Sequence, residues 1–160
     1  INKVENVCNL YLLGNGEEFY DIMELVKTNK MQENIFLLGE RNREESLAYV
    51  KNSDIFAFPS LKEAGTWSLM EAMALGKACI CMDGSGMKEI ANGNAAIKIP
   101  ITSPEESEND FERKLGILIK DKDLRRKLGE NASMMIEERY NWDKIRQFIE
   151  SLCEEIVLQN

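Results

Sequence analysis

Residues 60–76 of the chain read SLKEAGTWSLMEAMALG and follow a short apolar run, DIFAF at residues 54–58. The run has the composition of a buried strand, and Pro59 ends it because proline cannot continue an inner ladder. Small, turn-forming residues come next, and a helical pattern follows them. Two carboxylates flank the turn, since Glu63 lies in the loop and Glu71 lies in the helix. Ligands of open α/β sheets bind outside the carboxyl ends of the strands, so this segment predicts a binding site.

The helix within this stretch has an apolar pattern and a defined end. Gly76 is a suitable C-terminal cap. Four apolar residues fall at the spacings of one helix face, which we expect to pack against the core. They are Trp67, Met70, Met73 and Ala74. Glu71 then stands at the border of that face, where a ligand can reach its carboxylate.

Composition and charge narrow the functional classes. The chain has 160 residues, enough for one domain with a substantial core, and its 44% hydrophobic content is ordinary for a globular protein. The net charge of −8 argues against nucleic acid as a partner, since phosphate contacts need clustered Lys and Arg. The absence of histidine excludes His-based catalysis, and four scattered cysteines disfavour a Cys/His zinc site. Cys79 and Cys81 alternate within an apolar strand, so we expect them to be small core residues of a protein in a reduced compartment.

Apolar strands alternate with amphipathic helices, and helices alone close the chain. We predict strands at residues 9–13, 34–38, 54–58, 78–82 and 95–99, helices at 17–29 and 44–52, and final helices at 104–120, 122–138 and 142–158. This order is typical of the α/β class. We therefore predict one domain over residues 1–160, a Rossmann-like parallel sheet with helices on both faces that ends in C-terminal helices.

The stretch at residues 60–76 resembles the Glu-x7-Glu motif of retaining GT-B glycosyltransferases, in particular the glycogen-synthase-like group 1 enzymes called family 4. The matching residues are Pro59-Ser60, Glu63, the MEAMA run at 70–74 and Gly76. The sequence departs from the motif at Gly65-Thr66, where the family usually has Phe-Gly. The resemblance extends over nearly the whole chain and implies the C-terminal, donor-binding domain of such an enzyme.

The resemblance also implies roles for the residues of this motif. Glu71 would accept hydrogen bonds from the ribose hydroxyls of a nucleotide, and Glu63 would be the catalytic carboxylate beside the donor sugar. The backbone N–H groups around the helix start would face the diphosphate. They belong to Gly65, Thr66 and Trp67.

The same resemblance places donor contacts in three further loops. They are Gly14 and Gly16 after the first strand, Gly39, Glu40 and Arg41 after the second, and Gly84 and Gly86 after the fourth. An alternative interpretation of each loop stays open from the residues alone. The glycines also suit plain turns, and residues 39–41 also suit an ordinary strand-to-helix connection.

Two motifs beside the last helices have structural interpretations. Asp121-Lys122-Asp123 is similar to the Asp-x-Asp metal motif of the other glycosyltransferase fold, but its place between two helices favours a helix cap. Tyr140-Asn141-Trp142 matches the aromatic-x-Trp that opens the last helix of the family, and we expect Trp142 to anchor that helix in the core.

By the resemblance, the whole enzyme transfers a sugar from a UDP- or GDP-sugar to an unknown glycan or lipid-linked acceptor, with no cofactor and no metal. The chain matches only the donor-binding domain and lacks that domain's first strand, so we expect a fragment, inactive in transfer by itself, whose partner is a missing N-terminal acceptor domain. A cytoplasmic location is expected, and peripheral membrane association through that N-terminal domain stays open.

Three rival functions stay open from the sequence. A non-catalytic nucleotide-binding module would retain the nucleotide contacts without transfer. A GT-B-type sugar-nucleotide epimerase normally needs additional acid–base residues, and the absence of histidine weakens it. A flavodoxin-like signalling domain would place its acidic residues at the ends of early strands, which the context of Glu63 and Glu71 disfavours.

Overall fold

The structure is a computed structural model, and it describes residues 8–61, 66–91 and 94–158. These residues contain five strands and seven helices. The elements are β1 (Leu10–Leu13), α1 (Phe19–Thr28), β2 (Ile35–Gly39), α2 (Arg43–Asn52), β3 (Ile55–Phe58), α3 (Trp67–Ala74), β4 (Ala78–Met82), α4 (Ser85–Ile90), β5 (Ala96–Ile99), α5 (Pro104–Lys120), α6 (Lys122–Arg139) and α7 (Trp142–Leu158). For the five strands and for α1, α2, α5, α6 and α7, whose bounds were predicted, the observed bounds differ by at most two residues. The α/β class and the closing run of helices are therefore confirmed.

All strand pairs are parallel, and they form two hydrogen-bonded sheets. One sheet pairs β1 with β2, with Leu10 opposite Ile35. The other has the order β3-β4-β5, with Ile55 opposite Ala78 and Cys79 opposite Ala96. Parallel pairing is confirmed, but no described strand lies between β1 and β3, so the predicted sheet is divided at that point.

The core lies around β4. All five residues of β4 are buried, and α3, α5 and α6 pack against the three-stranded sheet. The largest fully buried apolar side chains there are Leu69, Met73, Ile80, Met87, Ile99 and Leu118. Cys79 and Cys81 are also fully buried, which confirms their expected place in the core. Burial raises the pKa of the Cys79 thiol to about 12 and that of the Cys81 thiol to about 11.

Side-chain caps fix the starts of three helices. Asn42 accepts a hydrogen bond from the Glu45 N–H at 2.9 Å while its own N–H donates to the Glu45 carboxylate at 3.1 Å, which is a complete capping box for α2. Ser103 caps α5, just before Pro104. Asp121 Oδ1 accepts from the N–H of Leu124 at 2.8 Å, so the helix-cap interpretation of Asp121 is confirmed.

Among the residues of the last helix, α7, whose burial the structure describes, none belongs to the buried core. Trp142 is 72% exposed, so the expectation that it anchors α7 in the core was wrong. Phe148 and Ile156 on the same helix are also exposed. Within the described residues, no helix combines the length and the apolar character needed to cross a membrane.

Candidate functional site

The loops that follow β3, β4 and β5 meet at one edge of the three-stranded sheet. Because these strands are parallel, their carboxyl ends share that edge. Gly84 follows β4, and a Cβ added to it would lie 2.4 Å from Ile101 Cδ1 after β5 and 3.7 Å from the carbonyl oxygen of Leu61 after β3. Gly84 therefore allows the three loops to approach one another. Glu63 and Gly65 belong to the loop after β3 and lie outside the described residues.

The start of α3 has no side-chain cap. Thr66 is its N-cap residue and is only 2% exposed, yet its side chain makes no capping hydrogen bond, and Oγ1 has no partner among the described residues. Buried hydroxyl groups are normally paired, so this one needs an explanation. The first turn of α3 also carries no acidic residue, whereas α1, α2, α5, α6 and α7 each carry at least one. Uncapped N–H groups and the positive end of the helix dipole favour an anion at this point.

Glu71 lies in the second turn of α3, and its carboxylate is held from α2. Arg43 donates to Glu71 Oε1 twice, from Nη2 at 2.6 Å and from Nε at 3.1 Å. The Glu71 side chain is 30% exposed, and no hydrogen bond from a described residue reaches its Oε2. Arg43 thus holds one carboxylate oxygen, while the other has no hydrogen-bond partner among the described residues.

The loops after β1 and β2 lie next to each other. The Gly14 N–H donates to the carbonyl of Gly39 at 2.9 Å. Gly14 has a φ of 128° and Gly39 a φ of 69°, and both are conformations that side-chain-bearing residues rarely adopt. Gly16 accepts from the N–H of Phe19 at 3.0 Å, which closes a turn into α1. These glycines therefore shape turns at the carboxyl ends of β1 and β2, and their contact with a donor stays a prediction.

Residues 40–43 connect the β2 loop to Glu71. Glu40 and Arg41 are exposed, and Arg41 Nη1 donates to the carbonyl of Glu40 at 2.9 Å. Arg43, two residues further on, contacts Glu71. Arg43 was not predicted as a site residue, although it lies at the start of a helix directly after a predicted donor loop, a position that could have indicated a role in the site.

Two details of the predicted site are corrected. Gly86 lies inside α4, which starts at Ser85, so the glycine-rich turn is shorter than expected. The buried face of α3 consists of Leu69, Ala72 and Met73, whereas Trp67 is 63% exposed. Leu69 and Met73 are four residues apart and face the core. Trp67, the first residue of α3, lies outside this buried face.

The chain is similar to a family of known proteins. The family described as "Glycosyl transferases group 1" matches residues 1–135. The chain is 33% identical over 150 residues to an uncharacterized glycosyltransferase of Methanocaldococcus jannaschii, covering 92% of this chain and 37% of that protein. It is 28% identical over 151 residues to the N-acetyl-alpha-D-glucosaminyl L-malate synthase of Bacillus anthracis, covering 94% of this chain and 38% of that protein. The chain thus spans less than half the length of these relatives.

Solved structures share the fold at lower identity. TarM of S. aureus, crystallised with fondaparinux, alpha-GlcNAc-glycerol and UDP, matches with a TM-score of 0.80 and 20% identity, over 92% of this chain and 29% of that one. HepE of Anabaena in complex with UDP and glucose matches with a TM-score of 0.74 and 19% identity, over 92% of this chain and 40% of that one. These neighbours have the GT-B glycosyltransferase fold. From the family match over most of its length, the chain belongs to the glycosyl transferase group 1 family.

Proposed function

We propose that the chain is the part of a retaining glycosyltransferase that holds the nucleotide-diphosphate sugar. One observation carries the proposal. Glu71 Oε2, which has no hydrogen-bond partner among the described residues, and the start of α3, which has no side-chain cap, lie on the same short helix. The Glu71 carboxylate, which can accept hydrogen bonds from hydroxyl groups, is therefore one to two helical turns from the helix start, which favours an anion. UDP in the complexes of TarM and HepE makes UDP the first nucleotide to test.

The proposed roles follow from the chemistry of each group. Glu71 Oε2 accepts hydrogen bonds from the ribose hydroxyls. The Thr66 hydroxyl and the first N–H groups of α3 bind the diphosphate, which satisfies the buried Oγ1. The same groups stabilise the negative charge that the diphosphate gains as the sugar leaves, and no metal is assigned a role. Glu63 lies outside the described residues, and its proposed role, from the family resemblance, is to stabilise the positive charge that develops on the ring of the donor sugar.

The divided sheet supports a further part of the proposal, that one strand of this domain is missing between β1 and β3. If a parallel strand is inserted there and numbered first, the observed strands follow as second to sixth, and the order becomes 3-2-1-4-5-6. That is the order of a doubly wound dinucleotide-binding sheet. We propose that this strand and an N-terminal acceptor domain belong to the full-length protein, which accords with the greater length of the relatives.

Nucleotide binding tests the proposed function. We would titrate UDP, GDP and ADP by calorimetry into the full-length protein and into its Glu71→Ala variant. One nucleotide is expected to bind saturably, and the variant is expected to bind it at least about tenfold more weakly, because hydrogen bonds to charged groups contribute about 1.5–3 kcal/mol. Glu150→Ala is the matched control, since Glu150 is also an exposed helical glutamate paired with an arginine. Equal affinity in the wild type and in Glu71→Ala would refute the assignment.

Hydrogen exchange tests the missing strand independently. In the full-length protein, the backbone N–H groups of β1 and β3 that face away from β2 and β4 are expected to exchange slowly, because the inserted strand accepts their hydrogen bonds. In the 160-residue chain the same groups are expected to exchange rapidly. Rapid exchange in both proteins would show that no strand occupies the gap.

A further inference from the structure

We propose that Arg43 is a positioning residue that orients the Glu71 carboxylate toward the ribose diol of the nucleotide. The inference rests on the proposed function, and it concerns a residue of α2 that lies outside the Glu-x7-Glu stretch. Its basis is the double hydrogen bond from Arg43 to one oxygen of Glu71, at 2.6 Å from Nη2 and 3.1 Å from Nε.

The geometry divides the work between the two carboxylate oxygens. Both N–H groups on one edge of the Arg43 guanidinium donate to Oε1, so this oxygen is committed to Arg43. Oε2 has no hydrogen-bond partner among the described residues and can accept from two donors. A vicinal diol, such as the 2′ and 3′ hydroxyls of a ribose, offers two O–H donors at that spacing.

Arg43 is itself held in a fixed place. It is the first residue of α2, and the preceding residue, Asn42, forms the capping box with Glu45. A guanidinium group is planar and always charged, so two bonds from it hold Oε1 of Glu71 in one place. Arg43 therefore holds one oxygen of a carboxylate on α3 from a different helix, 28 residues away in sequence.

The exposure of the pair makes the role testable apart from folding. The Arg43 side chain is 77% exposed, so its loss should leave the folded structure intact. Exposed ion pairs of this kind contribute little to stability, since solvent screens them. Any change in nucleotide affinity after replacing Arg43 is then a change at the site.

The experiment compares two nucleotides in the full-length protein. UDP and 2′,3′-dideoxy-UDP are titrated into the wild type, Arg43→Gln, Arg43→Lys and Glu71→Ala. Arg43→Gln is expected to weaken UDP about two- to fivefold, the range of a coupling between exposed charges, and to leave 2′,3′-dideoxy-UDP unchanged. Arg43→Lys, which restores one charged donor, is expected to recover part of the loss. Arg146→Gln on α7 is the matched control, because Arg146 also pairs with a glutamate and is 60% exposed.

The possible outcomes separate this inference from the proposed function. Equal weakening of both nucleotides by Arg43→Gln would overturn the inference, because Arg43 would then act on the phosphates, the base or the fold. Tighter UDP binding by the same variant would also overturn it and show that Arg43 competes with the ribose. If Glu71→Ala weakens UDP while Arg43→Gln does not, the inference fails and the proposed function stands. If Glu71→Ala changes nothing, both fail.

Discussion

The contact between α6 and the turn after α3 should be among the most sensitive positions in the fold. Gly129, inside α6, packs directly on the backbone of Gly76, which ends α3 with a φ of 69°. A Cβ added to Gly129 would lie 2.0 Å from the Gly76 carbonyl oxygen and 2.8 Å from its carbonyl carbon. Both atoms belong to the backbone, so they cannot move aside as the end of a side chain can. Gly129→Ala must push α6 and α3 apart by more than an ångström.

The magnitude follows from two opposing effects. Overpacking of a well-packed contact costs about 1–3 kcal/mol, and a clash with backbone belongs at the upper end of that range or beyond it. Replacing glycine by alanine inside a helix returns up to about 1 kcal/mol through helix propensity. A net loss of roughly 1–3 kcal/mol is expected, which in a domain of this size lowers the melting temperature by about 3–10 °C.

Thermal unfolding followed by circular dichroism measures this loss, and Gly116→Ala is the matched control. Gly116 also lies inside a helix, α5, but an added Cβ there meets no atom within 4 Å. Gly116→Ala should therefore keep the propensity gain and raise the melting temperature by a few degrees at most. Equal melting temperatures for the two variants would refute the packing of α6 on the α3 turn.

Three further predictions concern groups in the core and at the site. Thr66→Val removes a buried hydroxyl that has no partner among the described residues, so the free energy of unfolding should rise or stay unchanged. The variant should bind UDP more weakly than the wild type and bind uridine with the same affinity. A lower free energy of unfolding in denaturant titrations would contradict the prediction. At neutral pH a thiol reagent should modify the exposed Cys8 and Cys153 but not the buried Cys79 and Cys81 until the chain unfolds. Because burial raises the pKa of Cys79 to about 12 and that of Cys81 to about 11, the unfolded chain loses these protons first, so the free energy of unfolding should fall as the pH rises from about 9 to about 12. A Cys79→Ala variant with the same alkaline slope would contradict the contribution of Cys79.

The order and bounds of the elements could be predicted from the sequence because local signals agree with one another. Strands such as β4 are continuous apolar runs, and helix starts such as Ser103-Pro104 carry their own caps. These signals depend on neighbours in sequence, so the fold class followed from them without any knowledge of long-range contacts.

Features that depend on long-range packing could not be predicted. The buried face of α3 is set by where the sheet and α6 lie, and it includes Leu69 and Ala72 rather than Trp67. Trp142 was expected in the core because Tyr140-Asn141-Trp142 matches the aromatic-x-Trp of the resembled family, but its side chain is exposed. Arg43 and Glu71 are 28 positions apart in sequence, and the periodic patterns of helices and strands do not predict contacts over such a separation.

The central claim is that Glu71 and the start of α3 hold the nucleotide of a sugar donor, and a crystal structure of the full-length protein with UDP tests it most directly. The account predicts a ribose hydroxyl within hydrogen-bond distance of Glu71 Oε2, and a phosphate oxygen within hydrogen-bond distance of Thr66 Oγ1 or of the first N–H groups of α3. UDP bound elsewhere on the protein, or no UDP density at a saturating concentration, would contradict it.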